Sequence, residues 1–164
     1  GLGDVYKRQM MVKAVSLNGN FVLNFGPDGK GNIRSEETKL AKEIGDWMKI
    51  NKEAIYGTSH STVQKQDWGY FTQKGNKLYM CVFNRPINNL LKIEIPKGGI
   101  IPMKAYFLEN NQETEIQNAG KNKRNSSLYH VAVPASYKTD RPFVIVLEMQ
   151  ENTKEEGEYQ QAKI

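Results

Sequence analysis

Residues 68–83 read WGYFTQKGNKLYMCVF: two short runs rich in aromatic and apolar residues, Trp68–Gln73 and Lys77–Phe83, separated by the turn signal Lys74-Gly75-Asn76. Such a pattern specifies a β-hairpin, because a glycine-containing break between two runs of strand-favouring residues lets the chain reverse. Working outward, further runs of the same kind follow at Leu90–Ile95, Met103–Leu108, Glu113–Gln117, Leu128–Val133 and Phe143–Met149. Asn88-Asn89, Gly98-Gly99 and Asn110-Asn111 punctuate them. Short strands at this spacing specify an antiparallel β-sandwich. Leu91, Ile93 and Ile95 alternate with Lys92 and Glu94, so that strand has one wet face, whereas the unbroken Phe143–Leu147 is central.

Before Gly57 the periodicity is different. Met11, Val12, Ala14 and Val15 fit the tail of a helix that Asn18-Gly19 ends, and Asn20–Phe25 is a short apolar run of the kind buried on both faces of a parallel sheet. Gly26-Pro27-Asp28-Gly29 breaks that run. Ser35 then reads as an N-cap, with Glu36 and Glu37 in the first turn and Leu40, Ile44, Trp47 and Met48 on one helical face. Asn51 is placed to close this helix in the left-handed conformation. Helix, strand, loop and helix make one α/β unit, which cannot cover its own sheet. The domain reading is therefore residues 10–57 as an α/β end piece, 58–149 as the sandwich, and 150–164 as a polar, disordered tail. The opening nonapeptide, residues 1–9 (GLGDVYKRQ), resembles a sequence recurring at the ends of metagenome-derived translations. It is set aside as an assembly remnant.

Composition narrows the function classes. The chain has 164 residues, 38% of them hydrophobic and 25% charged, which allows one or two small cores and excludes wholesale disorder. A formal charge of +5 invites a nucleic-acid partner, but the basic residues alternate with acids. The one dense run, Lys121-Asn122-Lys123-Arg124-Asn125, reads as a hairpin tip, so no nucleic-acid partner is expected. A lone cysteine, Cys81, excludes an intrachain disulfide and reads as a buried apolar residue. No apolar run approaches the ~20 residues of a membrane span, so no membrane partner is expected.

The segments NGNFVLNFGP, GNIRSEE and EIGDWMKINKEAIYGT, in that order, resemble the end of the catalytic domain of α-L-fucosidases, glycoside hydrolase family 29. Asn18-Gly19-Asn20, Asn24, Gly26-Pro27, Ile44-Gly45, Trp47 and Glu53–Thr58 stand at corresponding places. The hairpin and FVIVLEM continue the resemblance to about Met149. Lys30, Lys52 and Arg85 depart from it, where the family usually has Asp, Gly and Trp. The resemblance implies the last strand and helix of a (β/α) barrel followed by a C-terminal antiparallel β-sandwich. It also implies hydrolysis of terminal α-L-fucosyl linkages of glycoconjugates by a retaining mechanism, with no metal or organic cofactor. Fucosylated glycans are the implied partners, and a secreted, periplasmic or lysosomal location is implied as well.

Retaining hydrolysis needs two carboxyl groups about 5–5.5 Å apart across the bond. In the family both come from earlier barrel strands, so this chain is expected to carry no catalytic residue and to be inactive alone. Glu36, Glu37, Glu43 and Asp46 read as solvated helix acids, and His60 and His130 lack metal-ligand spacing. Asn24, the polar residue at the C-terminal end of the barrel strand, is the candidate substrate-binding residue, with bonding of the Gly26-Pro27 turn as its alternative role. Trp68, Tyr70, Phe71, Tyr79 and Tyr106 raise a rival function, a noncatalytic carbohydrate-binding or packing module. The unpartnered α/β unit is expected to expose Phe21, Leu23, Trp47 and Met48, the apolar stripe of the helix either to lie against the sandwich or to drive self-association, and Trp47→Ala to cost the sandwich little.

Overall fold

The computed structural model describes residues 2–150, with side chains from residue 6 onward; the expected tail thus lies, after Gln150, outside the described residues. Two helices, α1 (Leu2–Ser16) and α2 (Ser35–Asn51), precede eight strands. The strands are β1 (Gly69–Lys74), β2 (Lys77–Val82), β3 (Leu90–Ile95), β4 (Pro102–Phe107), β5 (Glu113–Thr114), β6 (Ile116–Lys121), β7 (Ser127–Ala132) and β8 (Phe143–Met149). They form a five-stranded sheet in the order β1-β2-β8-β4-β5 and a three-stranded sheet in the order β3-β7-β6, with every pairing antiparallel.

The alternation of side chains along each strand determines how the layers stack. Leu78, Met80 and Val82 of β2 and Ile145 and Leu147 of β8 point into one core, where they meet Leu91, Ile93 and Ile95 of β3 and Val131 of β7. The intervening Tyr79, Cys81, Val144 and Val146 point the other way and meet Val12 of α1 and Trp47, Ala54 and Ile55 of the α2 exit. Both faces of the five-stranded sheet are therefore covered at β2 and β8, which is why these two strands read as nearly continuous apolar runs. The three-stranded sheet has one wet face, which is why β3 alternates.

Several local expectations are corrected. Residues 20–25 form no strand: Val22 and Asn24 are exposed, while Phe21, Leu23 and Phe25 are half-buried. A parallel strand needs a neighbour to take its backbone hydrogen bonds, and among the described residues no strand pairs with this segment. Only an isolated Pro27–Ile33 bridge closes the following loop, where the Asp28 carboxylate accepts the Lys30 and Asn32 amides at 2.9 Å each. Ser35 is the first helical residue; Arg34 is the N-cap and makes no side-chain capping bond. Asn51 keeps a negative φ of −109° and runs into a 3-10 turn, Lys52–Ala54. The left-handed turn comes later, at Gly57, whose φ is +68°. Residues 2–9, set aside above, are helical as the first turns of α1, and Lys7 lies over the Phe25 ring. Asn18, at φ 62°, does supply the left-handed cap of α1.

Arg85 gives the far end of the sandwich its clasp. Its guanidinium donates to the Tyr137 carbonyl (2.6 Å), the Pro134 carbonyl (3.0 Å) and Asn89 Oδ1 (2.8 Å). Tyr137 in turn stacks on Phe107 with ring centroids 4.1 Å apart. Arg85→Ala is expected to lower stability by about 1–2 kcal/mol, since charged-donor hydrogen bonds to partly buried carbonyls are lost. Urea unfolding checks it, with Arg85→Lys recovering less than half because an ammonium cannot span this fork.

Candidate functional site

The acids of α2 form no catalytic pair. Arg34 binds Glu37 at 2.9 Å, Lys39 lies 4.0 Å from Glu43, and Lys42 and Lys49 hold Asp46 at 2.6 and 3.0 Å. The hydrogen bonds from Lys42 and Lys49 bring Asp46 down to about 2. Glu37, Glu43 and Asp46 thus each answer a basic residue of their own helix or of its N-cap, which is how a solvated helix face is built. His60 is exposed and His130 half-buried on β7, opposite Lys92 of β3 and Gln117 of β6. Among the described residues no group of three or more His, Cys, Asp or Glu side chains is arranged to hold a metal ion.

The aromatic residues do not make a sugar platform. Trp68, Phe71 and Tyr79 are 3%, 2% and 0% exposed, and Tyr70 and Tyr106 are half-buried. Trp68 packs edge-on against Phe71 at 5.0 Å and donates its indole N–H to the Lys92 carbonyl, closing the core between the sheets. Alternation sends Tyr70 and Phe71 to opposite faces, so the five rings never share one surface.

Asn24 lies exposed in the irregular segment before the Asp28 loop. A hollow of about 390 Å³ opens nearby in sequence, lined by Asn18, Asn20, Phe21, Met48 and Tyr56 among others, and Asn24 is not part of its wall. A second hollow, about 310 Å³, lies at one end of the sandwich between the sheets, with Val63, Leu78, Ile95 and Met149 in its floor.

The densest polar chemistry sits where the α2 exit meets the five-stranded sheet. The Trp47 indole donates to the Pro142 carbonyl at 2.8 Å, and the Thr72 hydroxyl to the Ala54 carbonyl at 2.6 Å. Glu53 accepts from the Tyr79 hydroxyl at 2.7 Å and from Lys77 Nζ at 3.2 Å. The Tyr79 bond, followed by Lys77, holds the Glu53 carboxyl below its usual range. Burial, reinforced by the Glu53 charge, pushes the Tyr79 phenol well above its usual value. Burial likewise pushes the Cys81 thiol up to about 12, so it is an inert apolar filler on this face. Of the two outcomes the sequence allowed for the helix stripe, packing on the sandwich is the one found, while the polar bonds of this joint were not foreseen. Its signal was the unbroken apolar run of β2, which requires a covering layer on both sides.

The family model for α-L-fucosidase matches residues 8–53. An α-L-fucosidase of Dictyostelium discoideum is 37% identical over 93 residues, covering 54% of this chain and 20% of that protein. Human tissue α-L-fucosidase is 35% identical over 91 residues, covering 52% and 19%. Among solved structures, a bacterial fucosidase bound to a dihydroxy-methylpyrrolidine triazole inhibitor superposes with a TM-score of 0.81 at 36% identity, over 92% of this chain and 32% of its own. A family 29 α-L-fucosidase of Bacteroides thetaiotaomicron gives 0.79 at 36% identity, over 90% and 32%. The chain thus spans about a fifth of the curated relatives and about a third of the solved enzymes. In both sequence and fold, the chain is thus similar to the C-terminal region of α-L-fucosidases, among them enzymes of glycoside hydrolase family 29.

Proposed function

We propose that this chain is the β-domain-bearing part of an enzyme that removes terminal α-L-fucosyl residues from glycoconjugates by double displacement. The observation that carries this reading is the 36% identity that accompanies superposition over 92% of the chain. A similarity that runs through both the helices and the sheets supports shared activity more strongly than fold alone would. One such relative, from Bacteroides thetaiotaomicron, has been trapped as a covalent intermediate with a fluorinated fucosyl fluoride, as double displacement requires. Residues 10–57 then correspond to the last strand and helix of a (β/α) barrel, with residues 20–25 taking strand form beside a parallel neighbour. Residues 58–149 are the sandwich, and 1–9 are foreign to the enzyme. Asn24 sits at the rim of the substrate pocket, fucosylated glycans are the partners, and the location is outside the cell, periplasmic or lysosomal. Among the described residues no helix is long and apolar enough to cross a membrane. Burial of Trp68, Phe71 and Tyr79 counts against the rival reading as a glycan-binding module.

The reading is tested with an aryl α-L-fucoside. This chain alone is expected to give no turnover above buffer, while a gene completed with the upstream reading frame hydrolyses the substrate. In that completed enzyme Asn24→Ala is expected to raise KM several-fold. Turnover by the chain alone, or a completed enzyme inert on fucosides, overturns it.

A further inference from the structure

The joint between the helical layer and the five-stranded sheet contains one ionisable carboxyl that bridges the two. Glu53 lies in the 3-10 turn after α2, and both of its donors, the Tyr79 hydroxyl and Lys77 Nζ, stand on β2. The neighbouring anchors, Thr72 to the Ala54 carbonyl and Trp47 to the Pro142 carbonyl, are neutral and do not respond to pH in the acid range. Glu37, Glu43 and Asp46 of α2 pair with basic residues of the helix or its N-cap instead of the sheet. From the sheet, Lys77 and Tyr79 of β2 face Glu53 directly, and Lys74 of β1 adds a positive charge. Tyr106 of β4 stands against Lys77 and Tyr79, and Glu148 of β8 is opposite Lys77 in register.

We propose that Glu53 is an acid-sensitive latch: its ionised carboxylate holds the exit of α2 on β2, and protonation makes residues 52–58 open more often while both sheets stay folded. A carboxylate accepting from a phenol and an ammonium forms charge-assisted bonds, about twice as strong as neutral ones. Protonation removes the attraction to Lys77 and turns one oxygen into a donor. The sign follows from the direction of the shift. Because the folded-state carboxyl is held below its ordinary value, the latch contributes fully above that value and is lost as pH falls through the folded one. Proton access is direct, since the Glu53 side chain is 43% exposed. Opening stays local because Trp47, bonded to the Pro142 carbonyl, keeps α2 docked, and β2 and β8 are held by the apolar burial on both their faces. The latch does not depend on the enzymatic reading above.

Amide hydrogen exchange on the full chain tests it. The Ile55 and Tyr56 amides, both bonded to the Lys52 carbonyl, report on the exit, and β8 amides report on the sheet. Between pH 7 and pH 3 the protection factors of Ile55 and Tyr56 are expected to fall a few-fold relative to β8, the scale of a solvent-screened carboxylate pair. Glu53→Gln is expected to show the lower protection at both pH values. Tyr79→Phe keeps a reduced pH response through Lys77. A wild-type exit whose protection relative to β8 does not change overturns the latch, as does a Glu53→Gln chain with the wild-type pH response. Equal loss in β8 also overturns it, because acid would then be unfolding the whole domain.

Discussion

Trp47→Ala is expected to cost about 3–5 kcal/mol of unfolding free energy in this chain, the range for removing a large aromatic from a packed site. Trp47 is 2% exposed and sits among Val12, Ala54, Ile55, Tyr79, Cys81, Val144 and Val146, and its indole satisfies the Pro142 carbonyl. Truncation leaves a cavity against β2 and β8 and an unpaired carbonyl, and both costs add. The measurement is urea unfolding followed by the fluorescence of Trp68, the other of the two tryptophans, which lies in the core between the sheets. Because β2 and β8 contribute to both cores, damage on the helical side is expected to shift the Trp68 transition as well. A shift below about 0.5 kcal/mol, the usual size for surface substitutions, would mean that the helical layer is not coupled to the sandwich. A small cost was the expectation from sequence, where the Trp47 stripe was left either to lie against the sandwich or to drive self-association. The structure reverses it because the sheet offers an apolar face that the helix covers.

Gly69→Ala is the second large effect, about 2–3 kcal/mol. A Cβ at Gly69 would collide with the Cys81 carbonyl of the paired strand, and its next nearest neighbours are also backbone atoms of that strand. Backbone cannot swing aside as a flexible side chain does, so β1 must move away from β2 at its first residue. The Gly69–Val82 pairing and the bonds from the Phe83 and Asn84 amides to the Trp68 carbonyl lie at this point. Loss of exchange protection at Phe83 and Asn84, together with the fall in urea midpoint, is the expected signature. Gly75→Ala serves as the contrast: no atom lies within 4 Å of its Cβ position, so its cost comes only from a φ of +56°. At about 1 kcal/mol, that cost should be the smaller of the two.

The residues of the β domain announced their own strands. Runs of aromatic and apolar residues between Asn and Gly turns give local signals, and the strands formed within a residue or two of those runs, except that Glu113–Gln117 divides into β5 and the start of β6. Period-two alternation in Leu90–Ile95 disclosed its wet face, and the unbroken Phe143–Leu147 disclosed its central place, because both depend only on which side of one strand is covered. The motifs from Asn18 to Thr58 pointed to a resemblance to α-L-fucosidases, since they combine specific side chains in a fixed order. The state of residues 20–25 was beyond them: an apolar run becomes a strand only when a neighbour accepts its backbone bonds, and that neighbour is not a property of the run. The position of α2 was likewise decided by tertiary structure. An apolar stripe states that a helix must be covered, but what covers it, here the outer face of β2 and β8 with Glu53 bound to Tyr79 and Lys77, depends on residues 20 to 100 positions away that only the packed chain brings together.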